Sequence, residues 1–137
     1  MISTTDGMYL LVSEAYDLGA PVPDMPADVG VAAAPEICYV AGAQIDDGER
    51  VSLSVAVFDY EPDTRPWDDF WKWKASATLQ TSAPLWVASL EHDTIERITD
   101  TGGTYNVVLY VRPYEYVKQN PEEPAEVHFL VLWPRDG

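Results

Sequence analysis

The chain has one cysteine, Cys38, in 137 residues, so no disulfide can form within it. That suits a reducing compartment, and a lone thiol of this kind most often serves as a small apolar core residue. Basic residues are also scarce. Eight Lys and Arg stand against 23 Asp and Glu, a net charge of −15. Such a chain repels the phosphates of nucleic acid and attracts positive surfaces. No apolar run approaches the roughly 18 residues of a membrane-spanning helix. Residues 8–12 are too short an apolar run for a secretory signal, and no early Lys or Arg precedes them, so a soluble cytoplasmic protein is expected. Catalytic signatures are missing as well. There is no G-x-S-x-G elbow, P-loop or G-x-G-x-x-G turn. Cys38, His92 and His128 are scattered, without the spacing of a zinc site. Paired carboxylates are unavoidable in so acidic a chain, so counting them does not identify a glycosidase. The sequence points away from an enzyme and calls for no cofactor.

What is present is apolar and aromatic. Hydrophobic residues make up 47%, with five Trp and eight Tyr, too much for a disordered chain despite its charge. The length suits one domain over residues 1–137, which would bury roughly two-thirds of its unfolded surface. Strict two-residue alternation recurs over residues 51–57, 71–79, 105–112 and 127–133, the period of a strand. It predicts an inward face made by Val51, Leu53, Val55, Val57, Trp71, Trp73, Val107, Leu109, Phe129 and Val131. On this pattern His128 alternates with a buried face and is structural. Shorter candidate strands lie at Met8–Ser13, Ile37–Ala41, 85–90 and 94–98. Asp46-Asp47-Gly48 and Thr101-Gly102-Gly103-Thr104 are turns between them. Residues 24–34 have room for a turn or two of helix, limited by Pro26, Gly30 and Pro35. Together these predict an all-β protein, an antiparallel two-sheet β-sandwich of seven or eight strands with little helix.

The segment 59–70 concentrates carboxylates beside aromatics. Asp59, Tyr60, Glu61, Asp63, Trp67, Asp68, Asp69 and Phe70 form a candidate partner-binding surface, stiffened by Pro62 and Pro66. Carboxylates can engage Lys and Arg on a partner while a rigid aromatic anchors the contact. The competing reading is a solvated loop whose aromatics tuck back onto the core. Asp59, Glu61 and Asp63 have the oxygen ligands that calcium takes, but not the spacing of an EF-hand. Asp46, Asp47 and Glu49, or Glu122, Glu123 and Glu126, are the next acidic candidates.

Three stretches carry a family likeness. Gly30-Val31-Ala32-Ala33-Ala34-Pro35-Glu36-Ile37-Cys38-Tyr39-Val40 has a glycine, small residues and a turn leading into a strand. Leu85-Trp86-Val87-Ala88-Ser89-Leu90 ends in a small-Ser-apolar step. Thr101-Gly102-Gly103-Thr104-Tyr105 enters the next strand through glycine and tyrosine. In this order they resemble the bacterial competence-protein-J family of small nuclease inhibitors. The chain departs from that family before the first glycine, where it has Met25-Pro26-Ala27-Asp28. The resemblance implies a cytosolic, non-enzymatic protein that neutralises a nuclease.

The expected function is therefore an acidic inhibitor or immunity protein. It would neutralise a basic toxin or nuclease by occluding its positive surface, without binding nucleic acid or membrane. A calcium-dependent or carbohydrate-binding sandwich module, or a phage or secretion structural protein, are the alternatives.

Overall fold

The structure, a computed structural model, describes residues 2–4, 8–17, 23, 30–42, 50–68, 71, 73–88, 94–113 and 124–135. In chain order the elements are β1 (Ile2–Thr4), β2 (Met8–Ser13), β3 (Gly30–Ala34), β4 (Ile37–Ala41), β5 (Arg50–Val57), α1 (Arg65–Asp68), β6 (Trp73–Thr81), β7 (Leu85–Ala88), β8 (Thr94–Arg97), β9 (Gly103–Pro113) and β10 (Pro124–Pro134). The eight expected strands all form. The described residues hold two more. β1 has three residues, too few to show a period. β3 lies where helix was expected; alanine favours helix, but the turn at Pro35-Glu36 folds the segment back along β4, from Ala34↔Ile37 to Gly30↔Ala41.

The strands make two five-stranded sheets, β1-β5-β10-β9-β6 and β3-β4-β2-β7-β8. Every pairing is antiparallel except β5 with β10, which run parallel from Pro124↔Arg50 to Leu132↔Val57. Local alternation does not encode which strands become neighbours, so this one departure from the antiparallel expectation was invisible in the sequence. It has a consequence. β5 and β6 also run the same way, because β9 lies antiparallel to both β10 and β6. Parallel strands of one sheet need a long crossover, and residues 58–72 supply it.

The core lies between the sheets. Tyr9, Leu11, Cys38, Val40, Leu85 and Val87 from one sheet meet Val51, Leu53, Leu79, Val107, Leu109, Val111, Leu130 and Leu132 from the other. Most of the expected inward face is confirmed, with four corrections. Phe129 and Val131 face outward, and β10 presents Leu130 and Leu132 to the core instead. β6 begins at Trp73, so Trp71 lies in the crossover and packs on the outer face. Val57 is 43% exposed. Where both faces of a strand are apolar, alternation shows a strand but not which face is inward.

His128 is buried in line with Leu130 and Leu132, hydrogen-bonded to the Tyr9 hydroxyl at 2.8 Å. This is the structural role expected of it. Cys38 is buried too, and burial pushes its thiol up to about 12.

Glu36 stitches the sheets together. Pro35 takes the first corner of the β3–β4 turn and Glu36 the second, at φ 73°, where glycine or asparagine is usual. Its N–H donates to the Gln80 carbonyl at 2.8 Å, and its carbonyl accepts from the Ser13 N–H at 2.9 Å. Its carboxylate accepts from the Ser82 N–H at 2.8 Å and from the Thr81 hydroxyl at 3.3 Å. Burial opposes ionisation of this carboxyl, but hydrogen bonds from Ser13, Ser82 and Thr81 outweigh it and lower its pKa.

Candidate functional site

The acidic segment is the crossover itself. It leaves β5 at one end of the sheet and must reach the start of β6 beyond β10 and β9. The outer face it crosses is apolar, with Val108, Tyr110, Val131 and Trp133 buried there. Among the described residues of the crossover, Phe58, Trp67 and Trp71 are the side chains that cover it. Trp67 meets Phe129 edge-on at 5.2 Å between ring centroids and lies 6.2 Å from Tyr110 and 6.1 Å from Phe58. Trp71 stacks on Phe129 at 5.9 Å, and the Arg112 guanidinium lies 5.2 Å from its ring. Such aromatic contacts contribute about 0.5–1.5 kcal/mol each beyond area burial. They hold the crossover at both ends of its path. Pro66, at the second position of the single-turn α1, suits a helix start because its missing N–H would be unpaired there anyway.

This arrangement divides the candidate residues. Trp67 is turned onto its own sheet. Tyr60 is 69% exposed, and Asp59 and Glu61 on either side of it are exposed as well. Asp63 is exposed but engaged: the Arg65 side chain donates to both its oxygens, at 3.0 and 2.9 Å, and the Arg65 N–H adds a third bond at 3.1 Å. Those bonds hold the Asp63 carboxyl below its usual pKa. The segment therefore presents Asp59, Tyr60 and Glu61 outward, on a base fixed by Phe58 and Trp67. Asp68 closes α1, and its side chain is not described. Asp69 and Phe70 lie outside the described residues. So do Asp46, Asp47, Glu49, Glu122, Glu123 and His92, while Glu126 is described only as a position in β10.

Sequence reasoning missed two roles. Arg65 ties up one of the acids, and the Asp-Thr-Arg spacing at 63–65 was the available signal. Phe58 and Trp71 pin the loop, and their signal was the aromatic residues bracketing both prolines. Among the described residues no three His, Cys, Asp or Glu side chains come together as a metal site. No described helix is long and apolar enough to cross a membrane.

No protein-family model and no curated protein sequence matches the chain. Among solved structures the chain is similar in fold to ComJ, inhibitor of the DNA degrading activity of NucA, from Bacillus subtilis, with a TM-score of 0.59. The chain resembles ComJ. The likeness covers 94% of this chain and 89% of ComJ, at 12% sequence identity. At that identity it is a likeness of fold, and it bears out the resemblance to the competence-protein-J family read from the strand and turn residues.

Proposed function

We propose that this chain is a cytoplasmic inhibitor or immunity protein, not an enzyme, and that it neutralises a basic nuclease or toxin by covering its positive surface. The observation that carries the reading is the likeness of nearly the whole fold to ComJ, an inhibitor of a DNA-degrading activity. The electrostatics support it. A chain of net charge −15 attracts the same basic groove that a nuclease offers to DNA, so it competes with the substrate by sign. The pinned loop adds a local reason, because Asp59 and Glu61 are carboxylates held outward beside an exposed tyrosine.

Affinity capture from the source cell, at low and high salt, tests this. The expected result is one basic protein whose DNA-degrading or toxic activity falls to background when the acidic chain is added at equal concentration. Recovery of no basic protein, or of one whose activity survives an excess of the chain, overturns the reading. With the partner in hand, Asp59→Asn together with Glu61→Gln should slow association severalfold and flatten its dependence on salt. Asp63→Asn should slow association by a comparable step per charge, because it takes the Asp63–Arg65 pair from neutral to +1 and leaves Arg65 facing a basic partner.

A further inference from the structure

Among the described residues the sandwich is closed along one side and open along the other. On the closed side β3 and β6 meet, and the Glu36 N–H bonds the Gln80 carbonyl across the gap. On the open side β5 and β8 face each other. β1 covers the edge of β5 only at Val51, Ser52 and Leu53. Beyond Leu53 no described strand pairs with that edge. The Phe58 N–H donates to the Leu132 carbonyl of β10 at 2.8 Å. Backbone groups of successive strand residues point to opposite sides, so Val55 and Val57 aim their N–H and C=O groups at the uncovered edge. Their side chains continue the inward face of Val51 and Leu53. They border an open groove of about 570 Å³, lined by Leu53, Val55, Val57, Glu96, Arg97 and Ile98.

An uncovered edge with apolar side chains at alternate positions is a template for another strand. The charges decide whose strand fits. Arg97 is drawn toward Asp100, 3.5 Å away, while Glu96 stands exposed in the groove wall. Exposed Asp59 and Glu61 follow directly after β5 ends. A second copy of this chain would bring another −15 against the same edge, and the repulsion opposes that pairing. We propose that residues 54–57 of β5 and the adjoining groove bind an extended segment of a basic protein by strand addition. Its apolar side chains would pack on Val55, Val57 and Ile98, alternating with lysine or arginine. This rests on the reading above that the partner is basic, and it names where the partner is held.

The probe is a capped heptapeptide alternating lysine and valine, compared with a peptide of the same composition in which the valines and lysines are in separate blocks. Binding is titrated at physiological salt, and hydrogen exchange is followed at the Val55 and Val57 amides of the native protein. The alternating peptide should bind at least about tenfold more tightly than the block peptide and slow exchange at both amides, as paired edge groups do. Val57→Lys, an exposed substitution, should remove that preference without altering cooperative unfolding. Equal binding of the two peptides, or protection confined to other strands, overturns the proposal. So does a dimer of the chain that already protects these amides, which would assign the edge to a second copy. The peptide experiment does not depend on what the partner does. Failure of the inhibitor reading appears in the capture and activity assay, and failure of the edge appears here.

Discussion

Replacing Glu36 tests the link between the two sheets, and the order of its variants is the informative outcome. In Glu36→Ala the carboxylate is lost, leaving the Ser82 N–H and the Thr81 hydroxyl without that acceptor. Hydrogen bonds to a charged group contribute about 1.5–3 kcal/mol, and this site is partly open to water, so the lower part of that range applies. Alanine keeps its Cβ at φ 73°, a conformation that costs an L-residue about 1–2 kcal/mol. Glu36→Gly loses the same bonds but not the freedom to adopt positive φ. The expected losses are therefore about 2 kcal/mol for alanine and about 1 kcal/mol for glycine, the reverse of the usual ranking. Urea unfolding of the three proteins at neutral pH measures both. The pH dependence gives a second reading. Glu36 has a lowered folded-state pKa, so its contribution is fully present above the unfolded carboxyl value of about 4.3 and is lost as pH falls through the folded one. The gap between native and Glu36→Ala should narrow in that acid range. A glycine variant less stable than the alanine variant, or an alanine variant within about 0.5 kcal/mol of native, would refute the account of the turn.

Three further substitutions probe the packing. Gly102→Ala would place a Cβ 2.5 Å from the Ser82 carbonyl carbon and 2.7 Å from the Ala83 nitrogen, both backbone atoms; a loss of about 1–3 kcal/mol in chemical denaturation is expected, and a neutral result would mean the two turns part easily. Tyr9→Phe removes the bond to His128 in the core and should cost about 1–3 kcal/mol, whereas a change under about 0.5 kcal/mol would make that bond incidental. Trp67→Ala strips a half-buried ring from Phe58, Tyr110 and Phe129; a loss of about 2 kcal/mol, below that of a fully buried aromatic, should appear in the same assay, and no loss would show that the crossover is held elsewhere.

The strands were legible wherever one face differs in kind from the other. β6 shows this well: Trp73 and Leu79 face the core as their period requires, and Lys74, Ser76, Thr78 and Gln80 between and beyond them are exposed. β10 shows the limit. Phe129, Val131 and Trp133 are as apolar as Leu130 and Leu132, because the crossover covers part of the outer face while the opposite sheet covers the inner one. The period survives and its sign is lost. Val57 fails differently. Its direction was legible, but its exposure depends on how far the opposite sheet reaches, and no local pattern encodes that. In the candidate site, the clustering of acid and aromatic residues was visible. The division of labour was not, because whether Trp67 faces a partner or its own sheet depends on β5 and β6 being parallel and the chain having to cross between them.

That division also bears on how a partner would be held. Exposed carboxylates such as Asp59 and Glu61 act through water and salt, where an individual ion pair contributes about 0.2–1 kcal/mol. They speed encounter far more than they slow release. Among the described aromatics of the segment, Phe58, Trp67 and Trp71 are committed to the outer face and Tyr60 alone is free to supply a release barrier. Among the described residues the exposed large hydrophobics are Val57 and Tyr60. They are three positions apart, one on the uncovered edge of β5 and one in the loop that continues from it. In the proposed complex the acids set a salt-sensitive association rate. Dissociation is governed by apolar and backbone contacts along β5 and depends little on salt. A partner whose affinity loss at high salt came mainly from faster dissociation would contradict this arrangement, because the acids would then be contact residues rather than steering ones.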